Sequence, residues 1–176
     1  MPIERVKRPI AAARMAALAR SLLDAAPLCA IATVSPGGRA HVNTAYFAWS
    51  PRLDVVWLSE PKARHSRNIA ANAGVAIAVF ASDQTWGEPD RGIQLFGSAG
   101  LTEDAAAEEA ARLYEARFPA YRPEEVTAYR IYRFRPSRVK LFDERELGTG
   151  VFVTAKVGRD GALAWERTEV YRPRAD

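Results

Sequence analysis

The stretch SEPKARHSRNIAANAGVAIAVF, residues 59–80, gathers Lys62, Arg64, His65 and Arg67 ahead of an alanine-rich run and then a strongly β-forming one. The spacing predicts a strand ending at Ser59 and a helix from Pro61 to about Asn72. A proline at or near the first helical position leaves the opening backbone N–H groups free at the helix mouth. Those groups and the helix dipole already favour an anion, phosphate above all. Arg64, His65 and Arg67 add side-chain donors within one turn, and the hydroxyls of Ser59 and Ser66 complete a candidate phosphate cradle. The plainer reading of the same residues is a solvated basic helix face. Set among cations, His65 is expected to titrate low, which suits phosphate contact better than proton relay.

Other chemistries find little support. The chain has two histidines, His41 and His65, and a single cysteine, Cys29, too few for a tetrahedral zinc site of thiolates and imidazoles. His41 lies mid-strand, where a packed structural role is the usual one, and no nucleophilic triad can be assembled. Neither a Gly-x-Gly-x-x-Gly turn after a strand nor a Walker-type loop is present. Tyr46, Phe47, Trp49, Trp57 and Phe96 fall on candidate strands, where they would wall a flat ring system or simply fill a barrel. Trp86 stands apart: it lies in the polar loop DQTWGEPDRG, 83–92, which therefore has something to bury.

The elements that would position these residues follow from periodicity. Residues 9–25 repeat alanine, leucine and methionine at helical spacing, with Arg14 and Arg20 outside the apolar stripe and Pro27 beyond the end. LCAIATV (28–34), the turn SPGG and RAHVNTAYFAW (39–49) read as a hairpin, followed by strands VVWLS (55–59), GVAIAVFAS and IQLFGSAGLT (93–102). EDAAAEEAARLYEARFP (103–119) opens with carboxylates and stops at a proline, as a helix does. TAYRIYRFRPSRVKLFD (127–143) reads as a half-buried strand pair broken at Pro136, and VFVTAKV and ALAWERTEVY as two last strands. Short strands joined mostly by tight turns favour an antiparallel barrel over a doubly wound parallel sheet. The expected class is α+β, mainly β.

The bulk numbers agree. A chain of 176 residues, 48% hydrophobic and 26% charged, is expected to fold as a single domain over 1–176. One cysteine allows no internal disulfide, and neither a signal peptide nor a run of ~20 apolar residues is seen, so a soluble, cytoplasmic protein is expected. The net charge of +4, nearly all arginine, suits phosphate and carboxylate recognition but is too small to argue for nucleic acid.

The series GRAHVNTAYFAW, VVWLSEPKARHSRNIAANAGVAIAVF and RGIQLFGSA resembles the flavin-binding split-barrel family typified by pyridoxamine 5'-phosphate oxidase, over roughly residues 20–142. The resemblance implies a six- to seven-stranded antiparallel split β-barrel with short flanking helices. It implies FMN as cofactor, with its phosphate held by Ser59, Arg64 and His65. The strand His41–Ala45, with Asn43 and Thr44 as polar contacts, would lie along the isoalloxazine, and Gln94 near the ring or ribityl chain. It further implies a homodimer with two flavin sites at the interface, to which Trp86 or the segment around Lys140–Asp143 would come from the partner. Backbone N–H groups near the pyrimidine end of the ring would stabilise the reduced flavin. The activity implied is a flavin-dependent oxidoreductase on a small-molecule substrate, with no side chain marked as acid or base. The carboxy-terminal arginine/histidine motif of the name-giving oxidase is missing from WERTEVYRP, so vitamin B6 oxidation is not expected. A deazaflavin in place of FMN, a haem-binding or flavin-binding carrier or sensor, and last a nucleic-acid-binding barrel are the other readings weighed.

Overall fold

In the computed structural model, which describes residues 3–171, nine strands and four α-helices are present among the described residues. In chain order they are β1 (Ile3–Val6), α1 (Ala12–Asp24), β2 (Leu28–Val34), β3 (Ala40–Trp49), β4 (Val55–Ser59), α2 (Arg64–Ala71), β5 (Gly74–Val79), β6 (Arg91–Leu101), α3 (Asp104–Arg117), β7 (Arg130–Asp143), α4 (Glu144–Leu147), β8 (Val151–Val157) and β9 (Leu163–Tyr171). Six strands in the order β7-β4-β3-β2-β5-β6 close through a β7–β6 pairing into an antiparallel barrel. Strands β8, β9 and β1 extend the sheet beyond β7. This is the mainly-β split barrel with short helices that the sequence led us to expect.

The chain divides into two compact units. The first comprises residues 27–77 and 96–136. Its hairpin β2–β3 forms because LCAIATV alternates: Cys29, Ile31 and Thr33 point inward. At the turn Gly38 adopts φ +77°, a conformation cheap only for glycine, and its N–H donates to Ser35 O at 2.8 Å. Residues Leu28 to Val34 then pair with Tyr46 back to Ala40. Helix α3 lays Ala110 and Tyr114 on Ala48 and Val56. Buried Arg133 donates to Glu109 Oε2 at 2.9 Å and to Ala106 O at 3.2 Å, so the ion is matched where it is buried.

The second unit comprises residues 1–26, 78–95 and 137–176. Here α1 buries Met15, Leu18, Ala19, Leu22 and Leu23, one stripe at helical spacing, with Arg14 and Arg20 outside it as predicted. Each of the larger apolar side chains contributes roughly 1.5–3 kcal/mol on burial. Asp143 caps α4, accepting from Arg145 N at 3.1 Å and Glu146 N at 3.3 Å.

Three expectations need correction. The strand pair broken at Pro136 is one strand, β7, running through the proline. Pro136 falls between the half paired with β4 (Arg130–Phe134) and the half paired with β8 (Arg138–Phe142), so neither of those ladders loses an N–H. Helix α2 begins at Arg64, and Pro61 lies in the preceding turn rather than at the first helical position. Strand β1 and helix α4 were not anticipated.

Candidate functional site

Strand β4 ends by burying the Ser59 side chain, 3% exposed, at the barrel end. The chain then turns, Ala63 N–H donating to Glu60 O at 3.0 Å, and enters α2 with Ala63 as an extended N-cap that offers no side-chain acceptor. The opening N–H groups of α2 therefore lack a capping side chain. Helix α2 is fixed by its buried face, where Asn68 Nδ2 donates to Thr33 Oγ1 at 3.0 Å. Arg64 and Arg67, one turn apart, remain exposed on the other side.

Two clusters result. In the first, Ser59 Oγ lies 2.5 Å from His65 Nε2 and 2.9 Å from Ser66 Oγ, so both hydroxyls are engaged with neighbours inside the protein. The His41 and His65 rings stack, with centroids 6.4 Å apart and planes within 8°. Burial, then the neighbouring His41, pushes the His65 imidazole below its ordinary value of 6.5. Low titration was expected from nearby cations; the cause is desolvation. The unfolded chain therefore takes up this proton at a higher pH than the folded one. The resulting stability is complete above 6.5 and is lost as the pH falls through the lowered folded value. The thermal midpoint of the protein should thus drop on acidification from about pH 7 to about pH 5. His65→Gln should flatten part of that slope; an unchanged slope would refute the assignment.

The second cluster is a pocket of about 450 Å³ lined by Ser35, Pro36, Arg39, Ala40, His41, Arg64, Arg67 and Asn68. Among the described residues no carboxylate lines it. The structure thus brings Arg64, Arg67 and His41 around one cavity, while Ser59, His65 and Ser66 form the adjoining buried cluster. Arg39, which sequence reasoning missed, joins them from the β2–β3 turn, where its N–H donates to Ser35 Oγ at 3.1 Å. Its only signal was an arginine two residues ahead of His41 at a hairpin end.

Along β3, His41, Asn43 and Ala45 share the half-buried face, whereas Val42, Thr44 and Tyr46 point the opposite way and are exposed. Asn43 and Thr44 therefore do not present side chains to the same surface. Asn43 Oδ1 is buried without a hydrogen-bond partner among the described residues, an acceptor in want of a donor. Trp86 and Gln94 belong to the second unit. Trp86 is fully exposed and buries nothing among the described residues, and Gln94 is exposed on β6. Lys140 stands 4.4 Å over the Phe152 ring, and Asp143 is buried against Arg91 at 3.2 Å, so both are engaged within the chain. Burial pushes the Cys29 thiol up to about 12, which removes it as a nucleophile.

A family model described as pyridoxamine 5'-phosphate oxidase matches residues 15–143, which span the barrel strands, α2 and the pocket. The chain belongs to the pyridoxamine 5'-phosphate oxidase family. Its fold is also that of solved structures at low identity. A heme binding protein from Mycobacterium smegmatis aligns with a TM-score of 0.68 at 19% identity, over 86% of this chain and 60% of that one. This chain thus spans less than two thirds of the mycobacterial protein. HutZ, the heme storage protein from Vibrio cholerae, aligns with a TM-score of 0.55 at 18% identity, over 66% of this chain and 86% of that one. A protein related to general stress protein 26 of B. subtilis (pyridoxinephosphate oxidase family), from Clostridium acetobutylicum, gives 0.62 at 12% identity, over 82% and 95%. Curated proteins returned no match. Among the described residues no helix is long and apolar enough to cross a membrane.

Proposed function

We propose that this member of the pyridoxamine 5'-phosphate oxidase family binds FMN and acts as a flavin-dependent oxidoreductase on a small substrate, as a homodimer. The observation that carries the reading is the pair Arg64 and Arg67, with no carboxylate among the described residues beside them, at the uncapped start of α2. In this reading Arg64 and His65 hold the phosphate, and Arg67 adds charge from the next turn. Ser59, itself hydrogen-bonded to Ser66, holds the His65 ring in place. The half-buried face of β3 would lie along the ring system, and Asn43 Oδ1, buried without a partner among the described residues, would be free to accept from a ring N–H. Bound flavin supplies hydride or electron transfer, and the chain supplies binding and orientation. No side chain in the site is assigned as an acid or base. Strand β9 ends in WERTEVY without the oxidase's carboxy-terminal arginine/histidine motif, so pyridoxamine phosphate is not the substrate we propose; residues 172–176 lie outside the described ones.

The test is an absorption spectrum of the purified protein, then titration with FMN and with a deazaflavin. Saturable binding of FMN supports the reading; binding of the deazaflavin alone transfers it to that cofactor, and binding of neither overturns it. A haem reading has its own support, in the stacked His41–His65 pair and in two structural neighbours named for heme. Under it, haem added to the apoprotein gives a Soret band that His41→Ala or His65→Ala abolishes.

For the homodimer, the outward face of the β2–β3 hairpin supplies the surface. Leu28 is paired with Tyr46 and Ala32 with Val42 in one register, leaving Val42 61% and Tyr46 56% exposed. Apolar groups side by side on an open sheet face mark an association surface. Val42→Asp should convert the dimer to monomer in sedimentation velocity; a variant that stays dimeric places the interface elsewhere.

A further inference from the structure

We propose that the pocket beside the start of α2 takes a ligand with two anionic groups, the second held by Arg39. The inference rests on the anion-binding reading of α2 and extends it. Arg39, Arg64 and Arg67 converge on one pocket of about 450 Å³ from two separate elements. None of the three has an ion pair or a side-chain hydrogen bond among the described residues. Arg52, Arg91, Arg133 and Arg138 instead each face a carboxylate within 3.2 Å. What sets Arg39, Arg64 and Arg67 apart is that they line one pocket together, with no carboxylate among its described lining residues.

Charge counting carries the step from one anion to two. A phosphate monoester brings about 1.5–2 negative charges near neutral pH. Taken at Arg64 and His65, with Arg67 adding its charge, it is balanced by two guanidinium groups and leaves Arg39 as a third cation on the same cavity without a counter-charge. A second phosphate, or a carboxylate linked to the first phosphate, supplies it, and the planar guanidinium fork fits either. The placement is built rather than incidental. Arg39 is fixed in its turn by the Ser35 N–H donating to Arg39 O at 2.9 Å, and Asn68 in the pocket wall is tied to Thr33.

The experiment is calorimetric titration of the full chain at low ionic strength, where exposed charges are least screened. The probes are inorganic phosphate, inorganic pyrophosphate and 2-phosphoglycolate, with FMN in parallel, against the native protein, Arg39→Ala and Arg39→Lys. At least one of the two doubly anionic probes should bind about tenfold or more tightly than phosphate, a typical gain from one added charge-assisted pair. Arg39→Ala should erase that advantage while changing phosphate and FMN binding less than about threefold, and Arg39→Lys should keep part of it. Pyrophosphate as the tighter probe assigns a diphosphate, and phosphoglycolate a phosphate–carboxylate ligand. Equal affinity for all three anions overturns the proposal, as does an Arg39→Ala variant that loses FMN and phosphate as fully as pyrophosphate. If FMN fails to bind while the Arg39-dependent advantage remains, the flavin reading falls and the second anion site stands. If no probe binds, both fall.

Discussion

Gly97→Ala is expected to destabilise the protein by more than about 3 kcal/mol and to lower its thermal midpoint by roughly 6–12 °C. A Cβ on Gly97 would lie 2.0 Å from Arg135 O and 2.8 Å from Pro136 Cα. Both obstacles are backbone, so no side-chain rotation relieves them and β6 must move away from β7. Those two strands make the pairing that closes the barrel, so the movement is paid in ladder hydrogen bonds as well as packing. Gly100, three residues along the same strand, is the control: a Cβ there meets nothing within 4 Å. Gly100→Ala should be neutral or mildly stabilising, because alanine loses less chain entropy in a strand. Thermal and urea denaturation followed by circular dichroism measures both, and equal effects would mean the β6–β7 approach is not tight.

Arg64→Ala should weaken FMN binding by roughly 10- to 100-fold, the worth of a charge-assisted hydrogen bond to phosphate. Arg64 is exposed, so the loss should sit at the lower end of that range in high salt. Riboflavin, which has the ring without the phosphate, should bind native protein and variant alike. That pairing separates a phosphate contact from general damage to the site. FMN binding unchanged by the variant would return the basic turn of α2 to a solvated face.

The parts of the fold written in local pattern were legible in the sequence. The alternation of LCAIATV, the glycine turn after it and the apolar stripe of α1 each depend on residues a few positions apart. What the sequence hid depends on distant partners. IERV is exposed and short, and becomes a strand only because Glu4 and its neighbours pair with Thr168 to Tyr171 at the far end of the chain. Pro136 looked like a break because its harmless position, between two different partner strands, is a matter of register. Of the candidate site, the opening of a helix by Arg64, His65 and Arg67 was legible in the sequence. The inward turn of Ser59 to His65 and Ser66 was not, because it depends on how β4 meets α2. Arg39 was missed because its approach to α2 comes from the folding of the hairpin and not from any spacing in the chain.

The full exposure of Trp86 makes the protein its own optical probe. Of the four tryptophans, Trp57 is wholly buried, Trp49 and Trp165 are partly covered, and Trp86 alone is bare. Its emission should lie at the red edge of the spectrum and be the first to be extinguished by aqueous iodide or acrylamide. A blue shift with protection from those quenchers would register whatever comes to rest on the 83–92 loop, flavin or second subunit, without a label and without disturbing the barrel.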